Sequence, residues 1–488
     1  MEKLPLTCNI PENLGISSDA IRNFITHTEE QQLCIHSFMF IRHGEIAAEG
    51  YYPPFTPDRL HRMYSTSKTF VAVAVGILID EGKLSLSDKI VDFFPEHCPA
   101  DVHPYIAAMT VRDLLLMATP YTYTTYDDKD ANWVWTFLNR KPSHPPGTIF
   151  NYDTSGTVML NGIVEKLTGM ELMDYLRPRL FDPIGISDNA RAIQRPEGGA
   201  WGGSGLLCST HDLAKFALVL LNGGKHNGKQ LIPEWYVREA TSALIDNRVA
   251  TDKPELQHGY GYQIWRTRNN GFATVGMGSQ ISVCVPDKDF VFVVTSDTQA
   301  VSSANNTLLT LLWNDVYPSL SDNPLPENKS AYEKLSDKLG NLEFLPVDGN
   351  LTSSVNHSHK YKLNDNYMDI SKIAFDISGK SGKMFYTKNS VDLAIEFGFG
   401  EYIYGTFPET DYYGDTIGIS KGIGYDYKAA AAWFDDDNLI IYLYIIDDYF
   451  GTLKINVSFK GDEISILMNK VAEWFLQGYD GFASGYLE

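Results

Sequence analysis

Residues Phe70–Ile79 read FVAVAVGILI, ten positions without a polar side chain. A helix that is apolar on every side has no face for water and must run through the middle of a core. It is also too short to span a bilayer, which takes about 20 such residues. Directly before it stand Ser65-Thr66-Ser67-Lys68, the only S-x-x-K in the chain. Residues i and i+3 share a helix face with Cβ atoms about 5–6 Å apart, so the Lys68 amine can reach the Ser65 hydroxyl. A lysine in a first helical turn opposes the helix dipole, and apolar walls disfavour its charge. Both effects push an amine pKa down. A neutral lysine is the base that a serine nucleophile needs. The plain alternative makes Ser65 an N-cap and Lys68 a surface residue, but a capping box would carry Glu or Gln where Lys68 stands.

The rest of the 488 residues limits what such a site can serve. With 40 Lys and Arg against 61 Asp and Glu, the net charge is −21. A surface that acidic repels phosphate backbones and anionic lipids, so no nucleic-acid or membrane partner is expected. The opening MEKLPLTCNIPENLG has no apolar core and no small-residue cleavage site, so no signal peptide is expected. The cysteines at 8, 34, 98, 208 and 284 are odd in number and show no CxxC. Thiols in a reducing cytoplasm are the simplest reading, without a disulfide scaffold or structural zinc.

Along the chain, SFMFIRHGEIAAEGYY (37–52) reads as two strands around a His43-Gly44 turn, followed by the apolar helix from about Ser65 to Gly82. Residues 83–255 are mostly helical in pattern. Strands return from Gly259, with a hairpin expected around Pro286-Asp287 and a helix near Ser302–Tyr317. The Pro- and Ser-rich stretch PSLSDNPLPENK (318–329) marks a linker, taken as 318–344. Residues 345–488 hold strand-like runs such as KMFYTK, NLIIYLYII and TLKINVSFK, dense in β-branched and aromatic residues. They are expected to form a separate antiparallel β domain, a barrel or a sandwich.

The string MYSTSKTFVAVAVGILIDEGKLSLSDKI resembles the active-site helix of serine β-lactamases, penicillin-binding proteins and related esterases. Further ordered matches follow in DLLLMATP, PPGTIFNYDTSGTVMLNGIVEKLTG, GGSGLLCSTHDLAKFALVLLNGG and GKHNGKQLIPEWYV, the last two as in the class C and esterase branch. The resemblance spans residues ~15–317 and leaves ~330–488 uncovered. It implies an α+β fold for 1–317, the β-lactamase/transpeptidase-like antiparallel sheet flanked by helices plus a helical subdomain. It implies that Tyr152 fills the tyrosine of the Y-x-N or Y-x-S motif and relays a proton to the leaving group. Thr154 then stands where Asn or Ser is usual. Thr274-Val275-Gly276 best matches the third motif, K-T-G or H-x-G. Gly276 would let the substrate backbone approach, and the N–H of Met277 with that of Ser65 would form the oxyanion hole. Thr274 replaces a lysine that anchors carboxylates, though Arg266 and Arg268 lie near in sequence and could substitute. Trp201, within GGAWGGSGL, is a candidate pocket residue or a core tryptophan.

Other motifs fail. GGKHNGK (223–229) has P-loop spacing, but Gln230 replaces its Ser or Thr, and it reads as a tight turn. Ser204 lacks the second glycine of a nucleophile elbow, since Leu206 stands there. No paired metal-ligand spacing occurs. Asp435–Asp437 reads as a hairpin turn and not a calcium loop. The expectation is a cofactor-free serine hydrolase acting on a small ester, amide or short peptide, with Ser65, Lys68 and Tyr152 as catalytic residues. Esters or neutral amides are favoured over β-lactams. An acyltransferase and a non-catalytic acyl-binding sensor are the alternatives.

Overall fold

The computed structural model describes residues 6–127, 130–410, 424–472 and 476–488. The chain divides into two compact units, one running through Glu343 and one from Phe344 onward.

The first unit is built on a six-stranded antiparallel sheet. Its strands are β1 (Ile35–Arg42), β2 (Glu45–Tyr51), β3 (Trp265–Arg266), β4 (Phe272–Gly276), β5 (Gln280–Val285) and β6 (Phe290–Ser296). They lie in the order β2-β1-β6-β5-β4-β3. β1 and β6 are buried at every position and pair with Phe40 opposite Phe292. Full burial requires cover on both faces, which explains why IHSFMFIR lacks clean polar alternation. On one face Phe24 of helix α1 (Ser18–Glu30) meets Phe40 and Phe292 edge-on, at 5.5 and 5.3 Å between ring centroids.

The apolar run forms α2 (Ser67–Asp80), with Lys68 through Leu78 buried. The expected start at Ser65 is off by two residues, because Tyr64–Thr66 form a single 3-10 turn before the α-helix begins. Phe70 of α2 stacks on Phe216 of α4 (Thr210–Leu221) at 3.8 Å. Between them in sequence lies α3 (Thr154–Thr168), which also packs on α2. Each neighbour helix announces its start: Asp153 caps α3, and Ser209 with Asp212 forms a capping box on α4. GGKHNGK is a two-strand hairpin closed by Asn227 and Gly228, both with positive φ, the primed turn that Asn-Gly favours.

The stretch read as linker holds a helix, α5 (Lys329–Gly340), which packs on α1. It buries only Ala331 and Leu335, and its Lys338 pairs with Glu29 at 2.5 Å. Two buried positions in twelve leave too faint a period to mark a helix behind a proline-rich stretch.

The second unit is antiparallel β apart from one parallel contact, and barrel-like. Its ten-stranded sheet starts at Val391–Phe399, which also pairs with Asp426–Asp435 near the far end. Asp436 and Asp437 form the expected hairpin turn between Asp435 and Asn438. Among the described residues no helix is long and apolar enough to cross a membrane.

The α2 packing is tight enough to test. A Cβ on Gly76 would lie 2.5 Å from the Tyr236 ring, whose hydroxyl is held on the Ala72 carbonyl at 2.6 Å. Gly76→Val is expected to cost about 1–3 kcal/mol by overpacking, read as a lowered melting temperature in scanning calorimetry.

Candidate active site

Ser65 sits in the 3-10 turn that feeds α2, just after Tyr64. Tyr64 has φ of 46°, a left-handed conformation that a bulky side chain adopts only under compulsion. One turn on, Lys68 is 1% exposed, and its Nζ donates to Ser65 Oγ at 2.9 Å and to the Gly203 carbonyl at 2.6 Å.

Tyr152 approaches from the loop before α3. Its ring centroid lies 5.2 Å from Lys68 Nζ. Burial pushes the phenol pKa up, and the nearby Ser65 hydroxyl opposes the shift in part. The ring stacks on Trp265 of β3 at 5.5 Å, and Tyr260 stands edge-on behind Trp265 at 4.9 Å. Next in sequence, Asp153 is fully buried. Desolvation lifts its carboxyl pKa to about 6, against hydrogen bonds from Ser155 and Thr119 and the attraction of Lys68. Its bonds to the Ser155 N–H and the Thr119 hydroxyl, both 2.9 Å, hold the turn that presents Tyr152. Thr154 donates its N–H to Thr124 Oγ1 at 3.3 Å, and its methyl lies 2.6 Å from where a Cβ on Gly203 would stand.

The strand-borne candidates behave differently from expectation. Thr274 is buried on β4, with its hydroxyl 2.8 Å from Ser282 Oγ and 3.4 Å from Thr66 Oγ1. At Gly276 the neighbour that forbids a side chain is the chain itself: a Cβ would lie 2.3 Å from the Met63 carbonyl. The glycine lets β4 come close to the strand-to-turn segment ahead of Ser65. The Met277 carbonyl accepts from Gln280 Nε2 at 3.0 Å. Trp201 is 1% exposed and belongs to the packing: its indole N–H donates to Tyr126 OH at 3.0 Å, and Trp133 meets it edge-on. Neither arginine considered as a substitute anchor is available for that task. Arg268 is paired with buried Glu255, and Arg266 donates to the Thr241 carbonyl and to Asn270.

Three residues escaped sequence reasoning. Gly203 supplies the second acceptor for Lys68, and Gly202 beside it has room only because a Cβ would strike Val71 of α2 at 2.5 Å. The signal was GGSG (202–205), three glycines in four positions, which matches the family segment and fails as an elbow without giving Gly203 a role. Gln280, fully buried, binds the Met277 and Ser296 carbonyls and the Ser296 N–H through one amide. Trp265, the platform under Tyr152, carries no local signal at all.

The beta-lactamase family's sequence profile matches residues 21–312. The 6-aminohexanoate-dimer hydrolase of Paenarthrobacter ureafaciens is 24% identical over 292 residues, 55% of this chain and 74% of that protein. Penicillin-binding protein 4 of Amycolatopsis lactamdurans is 33% identical over 137 residues, 27% of this chain and 36% of that protein. The octameric penicillin-binding protein homologue from Pyrococcus abyssi aligns with 95% of this chain and 99% of its own at a TM-score of 0.50 and 17% identity, a likeness of fold. The architecture is accordingly β-lactamase/transpeptidase-like, with a barrel-like C-terminal unit. Profile, relatives and fold agree: this chain belongs to the beta-lactamase family and is a hydrolytic enzyme.

Proposed function

We propose that this protein is a serine hydrolase that cleaves a neutral ester or amide through an acyl-enzyme on Ser65. The observation that carries the reading is the buried Lys68 Nζ, 2.9 Å from the Ser65 hydroxyl, with the Tyr152 ring 5.2 Å from the same amine. A neutral amine has two N–H donors and one lone pair. Lys68 keeps one N–H on the Gly203 carbonyl, and its lone pair takes the Ser65 proton as Oγ attacks the acyl carbon. The N–H groups of Ser65 and Met277 receive the developing oxyanion. Tyr152 passes the proton to the leaving group, water then attacks the acyl-enzyme, and Ser65 regains its proton. The mechanism needs no metal or organic cofactor. We assign it to residues 1–317 and read residues 345–488 as a domain of their own.

The preference for neutral substrates rests on charge. Thr274 stands where a carboxylate-binding lysine would be, and Arg266 and Arg268 are engaged elsewhere. A missing charge-assisted contact is worth about 1.5–3 kcal/mol, or about 10- to 100-fold in kcat/KM.

Three outcomes are expected. A fluorophosphonate should add mass at Ser65 alone by peptide mapping, and Ser65→Ala should be inactive on p-nitrophenyl esters. Labelling elsewhere, with Ser65→Ala still active, sinks the assignment. Short-chain p-nitrophenyl esters should be cleaved about 10-fold or more faster than nitrocefin by kcat/KM, and Thr274→Lys should narrow the gap. A larger value for nitrocefin contradicts the charge argument. Lys68→Met and Lys68→Arg should each cost several powers of ten with circular dichroism unchanged, because guanidinium stays protonated and cannot act as a base. Tyr152→Phe should lose less, since it removes a relay. An active Lys68→Arg enzyme, with the acidic limb of its pH–rate profile unmoved, means that another group deprotonates Ser65.

A further inference from the structure

Three residues before Ser65 lies Arg62, an arginine with 0% exposure. Its guanidinium carbon lies 4.2 Å from the centroid of the Tyr64 ring and 4.8 Å from that of Trp201. Its Nε donates to the Ser204 carbonyl and its Nη2 to Ser204 Oγ, both at 3.0 Å. These contacts fall on two separate segments. Tyr64 carries the left-handed φ immediately before Ser65. Trp201 and Ser204 bracket Gly203, whose carbonyl holds Lys68 Nζ. One planar cation therefore grips the strained residue that presents the hydroxyl and the loop that anchors the amine.

A left-handed tyrosine is strained and persists only where its surroundings over-determine it. Stacking of a desolvated guanidinium on an aromatic face offsets such strain. The fork of two N–H groups fixes Ser204 in direction as well as distance, which a point-charge ammonium does not do.

We propose that Arg62 is a positioning residue that sets the geometry between Ser65 and Lys68 by clamping Tyr64 to the 201–204 segment. The inference rests on the reading of Ser65 as nucleophile and Lys68 as base. Loss of the clamp lets the Tyr64 turn and the Gly203 carbonyl relax apart. The reacting atoms shift while the substrate contacts stay, so the loss falls on kcat. A misplacement of about 1 Å is enough to cost on the order of 100-fold.

The test compares wild type, Arg62→Lys, Arg62→Ala, Ser204→Ala and Ser65→Ala on one neutral p-nitrophenyl ester, with calorimetry on each. Arg62→Lys should fold and lose about 10- to 100-fold in kcat with KM within about twofold. Guanidinium chloride at low, non-denaturing concentration should restore part of the Arg62→Ala kcat and leave Ser65→Ala inactive. A purely structural arginine would lower the melting temperature without that split and without rescue. A folded Arg62→Lys with wild-type kcat, or a rise in KM alone, overturns the proposal. Should the Arg62 variants not fold, Ser204→Ala decides: it removes one arm of the fork and should lower kcat several-fold with the melting temperature nearly unchanged, and wild-type kcat overturns the clamp. Full activity in Ser65→Ala would instead bring down the nucleophile assignment itself. Inactive Ser65→Ala beside unaffected Arg62 and Ser204 variants leaves that assignment standing and ends only this inference.

Discussion

A lysine amine that is 1% exposed, held between a hydroxyl and a backbone carbonyl, is the constraint around which the first unit is arranged. Removing a charged ammonium from water is expensive, so an amine at that depth is under pressure to be neutral unless partners repay the cost. The burial comes from α2, which is apolar all round and enclosed by α3 and α4. The carbonyl comes from a loop thin enough to slip between α2 and α3, which is why Gly202 and Gly203 both lack side chains. Sequence hydrophobicity, helix packing and site geometry are linked: the helix that makes the core also takes the Lys68 amine out of water.

The serine side of the pair is built on strain. Tyr64 bends the chain in a left-handed turn, Gly276 lets a sheet strand press against the Met63 carbonyl, and Gln280 ties the Met277 peptide to the end of β6. Each is a backbone device that carries no reactive group. Together they bring the first-turn hydroxyl and the end of β4 against the same face, where an oxyanion site would need both.

Much of this was legible in the chain. Ser65 and Lys68 stood out through spacing ahead of an apolar run, and Tyr152 only through the family resemblance of the segment around it. Strands β1, β2, β5 and β6, the helix near Ser302 and the turn at Asp435–Asp437 follow from β-branched and aromatic runs, apolar spacing and turn residues, which are local signals. What stayed hidden depends on distant partners. Nothing local to Gly276 says that a side chain there would meet the Met63 carbonyl. Arg266 and Arg268 looked available until Thr241 and Glu255 claimed them. Trp201 was as plausible in a pocket as in a core, and only its contacts with Tyr126 and Trp133 set it in the packing. α5 hid for the opposite reason: it buries too little of itself to leave a pattern.

The sheet order β2-β1-β6-β5-β4-β3 has a temporal consequence for the growing chain. β1 emerges first from a ribosome, but its partner β6 lies about 250 residues later, and Ser65, Lys68, Tyr152 and Gly203 are made in between. Helices α3 and α4 can form early, each from its own caps, while the site they are to frame has no floor. That floor arrives when β4, β5 and β6 insert beside β1, late in synthesis and against a loop-closure entropy that local contacts do not offset. The sheet is thus among the last parts of this unit to close, with β1 waiting on partners that are made long after it.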